Sequence, residues 1–489
     1  MVLSMINSIL HFNEFGVKNL EKVLENFSDD MTKVAEMVKG VTENVVNLGL
    51  SIIAEELENY DEWLRKSSKR KEEWQIIKRD ETTLLTSLGN VTYKKTLFIN
   101  KKTGKREYLL DRAINMEKHA RMTEDAEARI LEEAVETSYR KGGDNASIGD
   151  ENVSKQTVKN KIHELKFPKV KPQNELKEIP YIYIDADEDH VSLQYLQQKG
   201  DIAKRKRINT VMPKIVYVYE GIEYKGGKNV LVNPKYFGGV YEGGKANNTL
   251  WNEVWEYIEQ SYDVDTIKKI YINGDGANWI KQGAKIINNS KFILDKFHMS
   301  KYIIAATSHL KEEVEIRRSE LYKAINKRQK WYAENTFDEI IKRTATETKL
   351  KTVLAAKTYI LDNWSGIMEQ LKNKDAEIQC SAEGHVSHIY ADRMSSRPLG
   401  WSKCGADKMA RLRIYYQNKG DMLELVRYQR EELQKVSGGE DITTTCGDII
   451  RAEQANIKRL GALANVPTYS IPYAQVKKIA NFRRHIWGL

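Results

Sequence analysis

Two strand-like runs in this chain end on aspartate, and they lie far apart. In IPYIYIDADEDHV, alternating residues lead to Asp185 and Asp187; in KKIYINGDGANWI, a similar run leads to Asp275. A third acid, Glu383, opens a helix-like stretch in CSAEGHVSHIYADR. Carboxylates gathered from distant segments are how a protein holds two divalent metals. Mg²⁺ prefers oxygen ligands and keeps several waters, so one or two carboxylates per ion suffice. These acids form a site only in a fold that returns the chain to one point.

The chain is long enough, at 489 residues, for two to four domains and a substantial core. Its 41% hydrophobic content fits a soluble globular protein, and no apolar run reaches the ~18–20 residues of a membrane span. The start, MVLSMINSILHFNEFG, reads as an amphipathic helix rather than a secretion signal. Three cysteines, Cys380, Cys404 and Cys446, are too few and scattered for a disulfide framework, so a cytoplasmic location is expected. A net charge of +9 favours polyanionic partners.

Seven regions follow from periodicity and composition. Residues 1–80 read as helices, with apolar steps of three and four over Val17–Leu24 and Met31–Val45. Residues 81–112 read as a lysine-rich β-hairpin, in which Val91, Tyr93 and Lys95 alternate and Asn100–Gly104 turns the chain. Residues 113–170 resemble a helix-turn-helix: Ser154 caps a helix that faces Val158, Ile162 and Leu165 inward. That leaves Lys155, Gln156, Lys159 and Asn160 outward, amides suited to adenine edges and lysines suited to phosphates. The turn before it is longer than the usual three or four residues, and a plain helical hairpin is the alternative.

After Pro180 the pattern becomes β/α. Residues 175–298 read as a mixed sheet covered by helices. An all-helical block over 299–375 follows, with Trp331 and Trp364 as anchors. Then come 376–424, carrying Glu383, and a helical tail over 425–489. Because strand side chains alternate with period two, Asp185 and Asp187 share a face and either could be a ligand. A strand-end aspartate taken singly is more often a loop or helix cap. On a regular helix from Glu383, residues 387, 390, 394 and 397 share its face, and Arg393, Arg397 and Lys403 are candidates for DNA phosphates. His385 and His388 either assist or pack; with Cys380 they lack the second paired motif of a zinc site.

The strings DADEDHVSLQ, INGDGANWI, LDKFH and CSAEGHVSHIYADRMSSRPLGWS resemble the ISLre-type bacterial insertion-sequence transposases, many of them once described only as an uncharacterised protein family. Through them the chain is similar to the Mutator-like group of DDE transposases. The resemblance implies a ribonuclease-H-like mixed-sheet catalytic domain, α/β in class and α+β overall, interrupted by an all-helical insertion. It makes Asp187 the first catalytic carboxylate, with Val191 four places on, and leaves Asp185 as second choice. Asp275 becomes the second and Glu383 the third. Asp295-Lys-Phe-His298 fits the group's Cys-or-Asp, two residues, His signature, which gives Asp295 and His298 supporting roles.

The resemblance further implies two Mg²⁺ or Mn²⁺ ions, double-stranded DNA as partner at transposon ends and target, and a homodimer or larger synaptic assembly. Three rivals stand beside it: a nuclease or resolvase without strand transfer, a catalytically silent DNA-binding descendant, and a small-molecule metal hydrolase. The last is disfavoured by the basic charge.

Overall fold

The computed structural model describes residues 6–436, apart from 118–119, 150, 170–174, 195–208, 374–381 and 397–398. These fall into two compact units. One comprises the described residues up to Ala126 with Ala146–Glu151 and those from Glu431 onward; the other comprises Glu127–Asn145 and Asn152–Arg430. Among the described residues no helix is long and apolar enough to cross a membrane.

In the first unit a short helix (Ile6–His11) and a π turn (Phe12–Gly16) lead into helices α1 (Val17–Asp29) and α2 (Val34–Lys66). Strands β1 (Trp74–Leu85), β2 (Asn90–Asn100) and β3 (Arg106–Tyr108) then form an antiparallel sheet in that order. The sequence reading carried helix to residue 80, but the chain is already extended at Trp74. The charged stretch Lys78–Glu81 lies on β1, and burial is confined to Trp74, Leu84 and Leu85. At the β2–β3 turn, Asn100 accepts from Lys102 and Thr103 N–H, both at 2.9 Å, and Gly104 takes φ +70°. Asp61 of α2 is fully buried and accepts from Thr96 N–H at 2.8 Å and its hydroxyl at 2.7 Å, which pins helix to sheet.

The second unit is built on a five-stranded sheet: β4 (Tyr181–Glu188), β5 (Pro213–Tyr219), β6 (Lys235–Val240), β7 (Lys269–Gly274) and β8 (Ser290–Leu294). Its order is β6-β5-β4-β7-β8. β4, β5 and β6 pair antiparallel, while β4–β7 and β7–β8 pair parallel. The segment Lys228–Val232, a possible sheet strand by its pattern, instead closes a separate hairpin with Gly221–Lys225.

Period-two alternation sorts the two faces of this sheet. Ile182, Ile184, Ala186, Val216 and Val218 point to one side. There they meet Leu250, Trp251 and Val254 of α6 (Gly243–Ser261), and Trp279 and Ile280 of α7 (Asn278–Ile286). The opposite face carries Tyr183, Asp185, Asp187, Tyr217 and Tyr219, with the tyrosine rings stacked at 5.6–5.8 Å between neighbours.

The stretch after β8 is helical throughout its described length: α8 (Lys296–Thr307), α9 (Val314–Asn326), α10 (Lys330–Lys342), α11 (Glu347–Asp362) and α12 (Trp364–Lys372). Its core runs through Met299, Ile303, Leu321, Phe337, Ile360 and Trp364. Trp331 does not anchor it, being 63% exposed.

The helix-turn-helix-like segment is α3 (Glu124–Glu136), α4 (Tyr139–Asp144) and α5 (Lys155–Glu164). From Glu127 on these helices belong to the sheet-containing unit and form no domain of their own, because α5 packs on α14 (Lys403–Gln417) as well as α4. The helical tail is described only as far as α15 (Met422–Val436); the rest of 425–489 lies outside the described residues.

Candidate active site

Parallel pairing brings two of the expected acids to one edge. Asn273 of β7 stands opposite Asp185 of β4, so Asp187 and Asp275, each two residues farther on, leave the sheet at the same end. Asp187 is half-buried and accepts from Glu188 N–H at 2.8 Å. Asp275 is half-buried too and caps the turn into α7 by accepting from Ala277 N–H at 2.9 Å. Burial pushes the Asp187 carboxyl up to about 7, and the charge of Asp275 adds to the rise. The Glu188 N–H and the His298 ring pull the other way.

His298 joins this group from the start of α8. Asp295 follows β8, and its N–H donates to Gly274 O at 2.9 Å, tying the ends of β7 and β8 together. The Asp295 carboxylate caps α8, accepting from Phe297 N–H at 3.1 Å, and lies 2.9 Å from His298 Nδ1. That hydrogen bond raises the His298 imidazole above its ordinary value; burial opposes the rise, and the charges of Asp295, Asp275 and Asp187 add to it. Asp187, Asp275, Asp295 and His298 are thus one electrostatic group.

Asp185 is placed otherwise. It is wholly buried and accepts from the Tyr217 hydroxyl at 2.7 Å, the Tyr219 hydroxyl at 3.2 Å and Asn273 Nδ2 at 2.6 Å. Both of its oxygens are thus engaged inside the sheet. Lys214, missed in the sequence, lies buried in register with Glu188, with its ammonium over the Trp279 ring at 4.8 Å and bonded to Asn247. Burial holds that ammonium below its usual range.

Glu383 lies on α13 (Ala382–Val386), which packs against β4. Its side chain is exposed. A π-helical turn over Ser387–Ala391 follows, and the short helix Asp392–Met394 ends the stretch. The wider turn breaks the expected regular face: Glu383 and Ser387 are exposed, whereas Tyr390 and Met394 are buried. Arg413, another residue the sequence did not flag, donates to His388 O at 2.7 Å and to Ile389 O, carbonyls of that turn. Among the described residues, no three His, Cys, Asp or Glu side chains lie close enough together to hold a metal ion.

The basic candidates separate as well. Arg393 is 7% exposed, donates to Ala134 O at 3.3 Å and stacks over Trp401 at 5.0 Å. Lys403 is exposed and paired with Glu242. Arg397 lies outside the described residues, as does Cys380. His385 packs its ring on Tyr217 at 4.5 Å, and His388 stands exposed, 3.5 Å from Asp392. On α5, Lys155, Gln156 and Asn160 are exposed and Lys159 partly so, while Gln156 Nε2 donates to Asn160 Oδ1 at 2.7 Å.

The donors at the sheet edge suit a hard divalent cation. Asp187 and Asp275 offer carboxylate oxygens, the donor type that such a cation prefers.

A UPF0236 protein of Caldanaerobacter subterraneus subsp. tengcongensis is 39% identical over 410 residues, covering 83% of each chain. Another from the same organism, whose name joins eleven locus designations, is 37% identical over 412 residues, 83% of this chain and 84% of the relative. A Streptococcus gallolyticus relative, "UPF0236 protein in vanSb 3'region", is 24% identical over 371 residues, 71% of this chain and 76% of that one. Among solved structures, the Drosophila P element transposase strand transfer complex aligns over 73% of this chain and 89% of that chain, at 11% identity and a TM-score of 0.23, too low to carry an argument. The family described as "Uncharacterised protein family (UPF0236)" matches residues 27–432, and the chain belongs to it.

Proposed function

We propose that the protein is a DDE transposase of a bacterial insertion sequence, of the ISLre type, which binds terminal inverted repeats, cleaves 3′ ends and transfers them into target DNA. The observation that carries this reading is the emergence of Asp187 and Asp275 side by side from parallel strands β4 and β7. The sheet supports it: a central first strand that pairs antiparallel on one side and parallel on the other is what the ribonuclease-H-like reading calls for. A relative named for eleven loci of one genome fits a sequence that copies itself.

Two Mg²⁺ or Mn²⁺ ions, when bound, would supply the Lewis acidity that activates a water or DNA 3′-hydroxyl and stabilises the leaving oxygen. Asp187 and Asp275 would hold them, and Asp187 must shed its proton to do so. His298, oriented by Asp295, would face the DNA phosphate beside the acids. Glu383 would be the third carboxylate, drawn in from its exposed place on α13 when metal and DNA bind. Lys155, Gln156, Lys159 and Asn160 would meet the end sequence, and Lys403 the backbone. Cutting two ends together calls for a dimer or larger synaptic assembly.

The test is incubation of purified protein with labelled end DNA, a plasmid and Mg²⁺. Joined products, lost in Asp187→Ala, Asp275→Ala and Glu383→Ala with DNA binding retained, are expected. Cleavage without joining would favour a nuclease or resolvase, and binding with neither product a silent DNA-binding descendant.

A further inference from the structure

We propose that the helical insertion positions the second carboxylate, with Tyr359 and Asn363 at the end of α11 holding the Asp275–Gly276 turn. The inference rests on the reading of Asp275 as a metal-holding acid. The Tyr359 hydroxyl donates to the Asp275 carbonyl, a group lying just past the last residue of β7. Four residues on, Asn363 is 4% exposed; its Nδ2 donates to Tyr359 O at 2.9 Å, and its buried Oδ1 has no hydrogen-bond partner. The amide lies against Gly276, where an added Cβ would stand 2.5 Å from that Oδ1. Gly276 itself has φ +91°, a conformation that side-chain-bearing residues avoid.

The other side of Tyr359 is fixed too. Its ring stacks on Tyr302 with centroids 3.7 Å apart and planes 15° off parallel. Tyr302 lies on α8, one turn beyond His298. The insertion therefore grips the Asp275 turn and the His298 helix through one aromatic pair. The Asp275 side chain is already spent in part on capping Ala277, so its backbone is the lever by which its free oxygen is aimed. Metal-binding groups need placement to within about 0.5 Å, which packing around them must supply. Burying an unpaired amide oxygen is costly, so its place against Gly276 calls for an explanation. Tyr359 and Asn363 are thus positioning residues.

The experiment uses the full-length protein, its Tyr359→Phe and Asn363→Ala variants, and Asp275→Ala. Hydrogen–deuterium exchange is followed without metal, and Mn²⁺ binding is followed by calorimetry. Tyr359→Phe keeps the ring stack, so its melting temperature should stay near wild type. Exchange over Gly274–Ala277 should rise about tenfold and Mn²⁺ affinity should fall about tenfold, the loss expected for one hydrogen bond. Asn363→Ala should move both in the same direction. A Tyr359→Phe protein with wild-type exchange in the turn and wild-type Mn²⁺ affinity overturns the inference. Mn²⁺ binding that survives Asp275→Ala overturns the metal-holding reading instead, and the metal-free exchange data tell the two failures apart.

Discussion

Asp185 and Asn273 face each other across strands β4 and β7, and the asparagine amide donates to the carboxylate at 2.6 Å. Two tyrosine hydroxyls also donate to this wholly buried acid. Asp185→Ala would strand three polar groups inside the sheet. It should destabilise the protein by on the order of 3 kcal/mol in urea unfolding, since each orphaned buried group carries a desolvation penalty. Asp275→Asn, at the half-buried edge, should unfold close to wild type. Equal unfolding curves for the two would remove the distinction between structural and site acids.

Asp187 gives a pH signature. Its carboxyl titrates near 7 in the folded protein and near 3.8 unfolded, so the folded state binds more protons between those values. This group's effect on metal-free stability is therefore unfavourable at high pH and fades as pH falls from about 7 towards about 4. Asp187→Asn should be the more stable protein at pH 8, by on the order of 2 kcal/mol, and should converge with wild type near pH 4. Thermal melts across pH without divalent ions measure this. A variant that gains nothing at pH 8 would show the carboxylate to be well compensated already.

His298 should report its partner directly. Its raised imidazole depends first on the Asp295 hydrogen bond, so NMR titration should find it above the ordinary value of 6.5. Asp295→Asn keeps the helix cap but removes the charge and should bring the titration down. An unchanged titration would mean that the other acids, Asp275 and Asp187, dominate.

Two arginine and lysine positions should part company. Arg393→Ala removes a carbonyl contact and the stack on Trp401 and should cost about 2 kcal/mol of stability. Lys403→Ala removes an exposed ion pair and should leave the melting curve almost unmoved. If Arg393→Ala melts like wild type while DNA binding weakens, the packing assignment is wrong.

Gly276→Ala should destabilise by about 1–3 kcal/mol, because φ +91° is strained for alanine and the new methyl meets Asn363. Gly226→Ala, at φ +58° with nothing within 4 Å, is the control and should cost less. Chemical denaturation of both ranks them.

The strands that carry Asp187 and Asp275 were legible because each is a short run of aromatic and β-branched residues ending on a turn. Ser154 was legible as a cap for the same kind of reason: its hydroxyl accepts from Thr157 N–H at 3.1 Å, a contact within one turn. Choosing between Asp185 and Asp187 was not local. Both share a strand face, and their different surroundings follow from the cross-strand register with Tyr217 and Asn273, which periodicity does not reveal. The burial of Arg393 was hidden for a related reason, since it comes from Ala134 and Trp401, which lie outside its own helix. The extended stretch Trp74–Asp80 escaped because Lys78, Arg79 and Asp80 are residues equally at home on a helix.

The π turn over Ser387–Ala391 has an evolutionary and an engineering corollary. A helix that takes in one residue too many can hold it in a π turn, so that the segments on either side keep their directions. Deleting one position from Ser387–Ala391 should therefore tighten this turn and disturb the His388 and Ile389 carbonyls that Arg413 holds, while Glu383 keeps its direction on α13. The wide turn is thus the tolerant part of the stretch, where the chain can lose a residue without moving the acid ahead of it.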